Sequence, residues 1–312
     1  MKKVIYLLIM LPLFLVVACT NDSYSTNNGN HDGETITITH ELGETVVTKN
    51  PEKIVVFDFG VLDTLDVLEI DIAGLPRGNM PTYLEKYDTD EYANVGSLKE
   101  PDFEKIAEID PDLIIISGRQ STLYDELAEI SPTIYLDIDT ERYMESFEEN
   151  LQVIGEIFEK EDVIEAELTS IKESITELQD IAADEDKQTL VILANDDKIS
   201  AYGPKSRFGI IHDVFDVAPI DENIEASTHG QNISFEYVLE EDPDILYVVD
   251  RSAVVGGESS AQQIVENKII EQTSAYQNDQ IVYLDPNYWY LSGGGLVSVQ
   301  KMVDEIKASL TE

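Results

Sequence analysis

Cysteine is almost absent from the chain: one thiol, Cys19, in 312 residues. No disulfide framework is available, so packing alone must hold the fold, and no cysteine remains downstream for nucleophilic work. Positive charge is also scarce, with 20 Lys and Arg against 63 Asp and Glu and a formal net charge of -43. Such a surface repels phosphate backbones, which excludes nucleic acid as a partner and argues against broad contact with an anionic membrane. Missing too are a Gly-x-Ser-x-Gly elbow, a His-Glu-x-x-His pair and a phosphate-cradling Gly-x-x-x-x-Gly-Lys, and the chain reads as a non-enzyme. The apolar stretch Val4 to Val17 is shorter than the ~20 residues that span a bilayer.

That stretch follows Met1-Lys2-Lys3 and ends in Val16-Val17-Ala18-Cys19, the order of a charged region, a hydrophobic region and a cleavage site. An ordinary secretory signal needs no cysteine there. A lipoprotein signal needs a thiol at the first mature position to carry the diacylglycerol thioether. Residues 1–18 are therefore predicted to be a lipoprotein signal peptide and Cys19 the lipidation site, which places the mature chain on the outer side of the cell membrane. Residues 19–33 are polar and nearly free of apolar side chains, too poor in burial to offset the entropy of ordering, and read as a flexible tether.

The rest predicts an α/β fold of two similar lobes, 34–160 and 184–312, joined by a long rigid helix over 161–183. Alternation from Thr35 to Thr48 gives a β-hairpin, and Ile54 to Phe57 a buried strand. Phe103 to Arg119 reads as a short helix, an Asp-Pro-Asp break and an apolar strand. The same unit returns at Phe235 to Arg251, at a constant offset of 132 and with Phe, Glu, Asp-Pro-Asp and the terminal Arg coinciding. A weaker echo relates Ile134-Tyr-Leu-Asp137 to Val282-Tyr-Leu-Asp285. Between the lobes, Ile164, Leu168, Ile171, Ile175 and Leu178 fall on one helical face with neither Gly nor Pro to bend it, and the helix would run about 33 Å.

Only five arginines occur, at 77, 119, 142, 207 and 251. Arg119 and Arg251 close the repeated strands, and Arg207 lies in the Gly/Pro-punctuated loop Gly203-Pro-Lys-Ser-Arg-Phe-Gly209. Ligands of open α/β sheets sit beyond the carboxyl ends of strands, so three guanidiniums can converge on the interlobe gap and present planar forks of donors to an oxyanion. The alternative is that each pairs with one of the many carboxylates. His229, in Ser227-Thr-His-Gly-Gln231, and the aromatics Tyr288, Trp289 and Tyr290 are further ligand-binding candidates. Aromatic faces suit flat rings, and a tyrosine oxygen is a hard donor suited to Fe(III). The Gly-rich segments at 256–257 and 293–295 read as tight turns into helices whose free backbone donors can help bind an anion.

Taken together, the Cys19 signal, the hairpin, the two Asp-Pro-Asp repeats and the Gly-Pro-Lys-Ser-Arg-Phe-Gly loop resemble a known family. So do Ser-Thr-His-Gly-Gln, Asp-Arg-Ser-Ala-Val-Val-Gly-Gly-Glu and Tyr-Trp-Tyr-Leu-Ser-Gly-Gly-Gly. The chain is similar to the iron-siderophore solute-binding lipoproteins of ABC importers, most closely their petrobactin- and catecholate-binding branch. The resemblance implies the class III solute-binding fold and a monomer that delivers a ferric siderophore to a permease. Fe(III) then enters only as part of the ligand, with no permanently bound cofactor. It implies that Arg119, Arg207 and Arg251 face an anionic ferric catecholate, and that His229 and Tyr290 complete the iron shell when the ligand is tetradentate, with Tyr288 the alternative to Tyr290. A haem, cobalamin or hydroxamate-siderophore receptor of the same architecture, or a surface metallo-enzyme or adhesin, are the competing readings.

Overall fold

The computed structural model describes residues 33–185 and 187–311; the predicted signal peptide and Cys19, and all of the tether but Gly33, lie outside the described residues. No described helix is long and apolar enough to cross a membrane.

The chain opens with the antiparallel hairpin β1 (Thr35–His40) and β2 (Gly43–Thr48), paired from Thr35 with Thr48 to His40 with Gly43. A five-stranded parallel sheet follows, built from β3 (Ile54–Val56), β4 (Gly74–Leu75), β5 (Ala93–Asn94), β6 (Leu113–Ile116) and β7 (Thr133–Tyr135) in the order β5-β4-β3-β6-β7. The second sheet comprises β8 (Thr189–Asn195), β9 (Lys198–Tyr202), β10 (Gln231–Ile233), β11 (Ile245–Asp250) and β12 (Ile281–Leu284), ordered β10-β9-β8-β11-β12. On the β8-β11-β12 side it is parallel and matches β3-β6-β7; on the other, β9 folds straight back antiparallel after a tight turn at Asp196, whose φ is +52°.

The sequence repeat has a structural cause. The helices Phe103–Ile109 and Phe235–Glu241 both end on an aspartate in the left-handed conformation, Asp110 and Asp242, and proline then prevents continuation. The second aspartate of each Asp-Pro-Asp reaches to the neighbouring strand: Asp112 accepts from the Lys53 amide at 2.9 Å, and Asp244 from the Gln188 amide at 2.9 Å. Each motif thus stops a helix and sets the register of the next parallel strand.

Alternation within the strands divides the interior. Val55, Phe57, Ile114 and Ile116 face an outer core of the first lobe, and Leu190, Ile192, Leu246 and Val248 that of the second. Their neighbours Ile54, Val56, Leu113, Ile115, Val191, Leu193, Tyr247 and Val249 all face one shared core that runs through both lobes. The helix Glu161–Asp184 joins the lobes and buries Ile164, Ile171, Ile175 and Leu178 in that core, beside the helices Tyr143–Phe158 and Leu296–Thr311.

The two lobes also meet through backbone. Gly60, in the helix Phe59–Val67, lies so close to the triglycine that a Cβ would stand 2.9 Å from the Gly294 carbonyl carbon, and a Cβ on Gly295 would overlap the Asp63 carboxylate and the Gly60 carbonyl. Gly295→Ala is therefore expected to lose about 3 kcal/mol by overpacking. Gly78→Ala, where φ is not in the left-handed region and a Cβ would meet only Ser97 at 3.9 Å, should leave stability unchanged or raise it by up to about 1 kcal/mol. Urea unfolding of both variants checks this, and equal losses would contradict the close approach.

Candidate functional site

Three segments of the second lobe, the loop after β9, the loop before β10 and the turn after β12, line a cleft of about 190 Å³. The loop Gly203–Gly209 carries Arg207 and is locked internally: Ser206 Oγ donates to the Gly203 carbonyl at 2.5 Å, and the Lys205 amide donates to Asp213 at 2.6 Å. Across the lobes, Thr140 Oγ1 donates to the Lys205 carbonyl at 3.2 Å. The loop bearing His229 turns at Gly230, φ +72°, where a Cβ would strike the Tyr202 ring; only glycine lets it lie that close. His229 itself is exposed and lines the cleft. The third segment, Asn287–Ser292, is wound as a turn of π-helix, a geometry frequent at functional sites.

Tyr290 is the centre of the arrangement. Its carbonyl accepts from Arg207 Nη2 at 2.7 Å, its ring lies 4.2 Å beneath the Arg207 guanidinium, and its hydroxyl accepts from Arg251 Nε at 2.8 Å. Arg251 Nη1 donates onward to Asn195 Oδ1 at 2.5 Å. Each guanidinium keeps further N–H groups for a ligand. Burial alone would raise the pKa of the Tyr290 phenol, but the Arg251 hydrogen bond and the charges of Arg207, Arg251 and Arg119 outweigh it and hold the group below its ordinary value. The Arg207 guanidinium is lowered as well, by burial first and then by the like charge of Arg119.

No carboxylate lines the cleft. The cleft is lined by Leu193, Lys198, Ser200, Thr228 and Asn232 besides the residues above, none of them acidic. Among the described residues Arg119, Arg207 and Arg251 form no salt bridge, whereas Arg77 and Arg142 pair with Asp90 at 3.3 Å and Glu145 at 3.0 Å. In a chain with 63 acids, that segregation leaves a cationic, hydrogen-bonding concavity suited to an anion.

The candidate residues are placed unequally. Arg207, Arg251, His229 and Tyr290 line one cleft. Arg119 belongs to the other lobe and is not among its lining residues. It sits on the 3-10 turn Gly118–Leu123, held by a capping box of Ser117 and Gln120, and it is close enough for its charge to be felt by Arg207 and Tyr290. Both repeat arginines lie just past their strands rather than in them, Arg119 beyond Ile116 and Arg251 beyond Asp250.

Trp289 is a correction. It is 2% exposed, packs edge-on to Phe208 at 6.4 Å and donates its indole N–H to Glu305 at 2.6 Å, so the winding of the turn sends it into the core as the support beneath Arg207's neighbour. Tyr288 does not line the cleft either; its ring packs at a tilt against Tyr83 of the first lobe, centroids 4.8 Å apart. The Gly-rich donors are not open to an external anion: Asp63 takes the Val297 and Ser298 amides and Asp196 takes that of Glu258. Lys198, Asn195 and Asn232 escaped the sequence reading because a polar residue on an alternating strand carries no signal of what it faces.

The model of the periplasmic binding protein family matches residues 54–288, and the chain belongs to that family. It is 53% identical to the petrobactin-binding protein YclQ of Bacillus subtilis over 315 residues, 99% of either chain. The crystal structure of YclQ matches with a TM-score of 0.88 at 54% identity, covering 89% of this chain and 99% of its own. The periplasmic catecholate-siderophore binding protein VctP from Vibrio cholerae matches with a TM-score of 0.83 at 35% identity, covering 88% and 100%. These relatives are binding proteins, and the chain is not an enzyme.

The other described tyrosines whose pKa moves are all pushed up, chiefly by burial. In a spectrophotometric pH titration the first phenol to ionise should therefore be Tyr290, below the ordinary ~10, and Tyr290→Phe should remove that step alone. Because its folded-state pKa is depressed, the stability it adds is present above the ordinary phenol value and is lost as pH falls through the lowered one. An unchanged first step in Tyr290→Phe would contradict the assignment.

Proposed function

From membership in the periplasmic-binding-protein family, we propose that this protein is an extracytoplasmic receptor for a ferric catecholate-type siderophore, petrobactin-like, which it delivers to the permease of an ABC importer. The observation that carries the reading is the carboxylate-free cleft holding Arg207 and Arg251 about Tyr290, with the charge of Arg119 reaching it from the other lobe. Ferric catecholates are anionic, and guanidiniums match their oxygens with paired donors. The names of the relatives point the same way, one binding petrobactin and one a catecholate siderophore.

Iron is cargo in this scheme and comes with its ligand. With a tetradentate siderophore, His229 and Tyr290 supply the two remaining positions; with a hexadentate one they only pack or hydrogen-bond. The arginine-lowered phenol suits a hard Fe(III) centre. The receptor works as a monomer held near its permease by a lipid on Cys19. Anchoring keeps scarce complexes at high local concentration beside the importer.

Titration of the mature protein with a ferric catecholate, followed by quenching of intrinsic fluorescence, should show Arg207→Ala weakened about 10- to 100-fold, the scale of losing charged hydrogen bonds. Unchanged quenching would remove Arg207 from the site. For a ferric bis-catecholate complex, His229→Ala and Tyr290→Phe should each shift the visible charge-transfer band; spectra identical to wild type would mean that neither residue reaches the metal.

A further inference from the structure

Asp63 does not line the cleft, yet it is fully buried, and its carboxylate is a meeting point of the two lobes. It accepts from Tyr83 Oη at 2.9 Å, from the Val297 amide at 3.2 Å and from the Ser298 amide at 3.0 Å, while Thr64 Oγ1 accepts from the Leu296 amide at 3.3 Å. The free donors of the helix Leu296–Thr311 are thus filled by side chains from the helix Phe59–Val67 of the other lobe. Tyr83 extends the contact: its Oη lies 2.7 Å from Ser292 Oγ and its ring packs at a tilt against Tyr288. The Thr82 amide donates to Asn287 Oδ1 at 3.0 Å.

Apart from the bond between Tyr83 and Asp63, each of these lands on the segment flanking Tyr290. Asn287, Tyr288 and Ser292 are gripped by the first lobe on either side of it, and the helix that follows is gripped by Asp63. Burying a carboxylate is unfavourable enough to push this one up to about 7 despite its donors, and apolar packing would avoid that cost. What an apolar contact would lack is direction.

We propose that Asp63 is a positioning residue for the ligand site: through Tyr83 and the first turn of the last helix it fixes the π-turn so that Tyr290 meets Arg207 and Arg251. The proposal rests on the reading that those three residues face the ligand. Lobe contact and site geometry then become one structure, and the cleft is organised before anything binds.

The test uses the mature chain carrying Asp63→Asn or Tyr83→Phe, with Ile106→Val, buried on the far face of the first sheet, as a destabilised control. Asp63→Asn should weaken binding of a ferric bis-catecholate roughly 10-fold, as small misplacements of binding groups do. In the ligand-free protein it should also move the first phenol ionisation up toward the ordinary value. Tyr83→Phe should do both to a smaller degree, whereas Ile106→Val should lose stability with affinity and ionisation unchanged. Lower stability with wild-type affinity and wild-type ionisation in Asp63→Asn would overturn the proposal, and if that variant does not fold, Tyr83→Phe decides alone. Should the wild-type protein bind no ferric catecholate, the receptor reading fails, while the ligand-free ionisation still decides the positioning role.

Discussion

Positive charge gathered in one cleft that no acid lines governs this molecule. A guanidinium surrounded by carboxylates normally finds one, and Arg77 and Arg142 do. Arg207 and Arg251 instead spend hydrogen bonds on neutral groups, the Tyr290 carbonyl and hydroxyl and the Asn195 amide, and Arg119 adds its charge from the opposite lobe without an ion pair among the described residues. Their charges hold the Tyr290 phenol below its ordinary value, and an anion bound in the cleft relieves their repulsion. A net charge of -43 does not cancel this field, because exposed acids more than about 8 Å away are screened at physiological salt, whereas charges inside a concave, partly buried site are not.

Holding like charges together demands a stiff frame. The shared core runs from Ile38 to Leu310 through both sheets, and the helix Glu161–Asp184 lies against it without a Gly or Pro where it could bend. Around the cleft, each C-terminal-lobe segment that carries Arg207 or Tyr290 is tied to the N-terminal lobe, at Thr140 to Lys205 and at Thr82, Tyr83 and Asp63 to residues 287–298. Wide hinge opening would break buried apolar contacts and the Asp63 bonds together, so the motions left to the lobes are small rotations. Such a site is preorganised, and affinity is not spent on ordering loops.

Much of the frame was legible in the sequence because its signals are local. The hairpin alternation, the Asp-Pro-Asp repeat and the apolar face from Ile164 to Leu178 each concern residues within a turn or strand of one another, and each lies where it was expected. The cleft was legible where loop punctuation brackets a polar side chain, as with Arg207 and His229, both of which line it. It was misread in the Tyr-Trp-Tyr segment, because a π-turn rotates successive side chains by an amount that composition does not reveal; Trp289 went inward to Phe208 and Glu305. The triglycine was correctly a turn into a helix, but its anion is internal. Asp63 and Ser298 are 235 residues apart, and no local pattern announces such a pair.

The central claim is that an acid-free arginine cleft selects its ligand by negative charge. The most direct test is to measure the affinity of the wild-type protein for an anionic ferric catecholate and for an uncharged ferric hydroxamate of similar size, each at low and high ionic strength. The account predicts tight binding of the catecholate that weakens as salt rises, and weak, salt-insensitive binding of the hydroxamate. Equal affinities for the two, unmoved by salt, would contradict it.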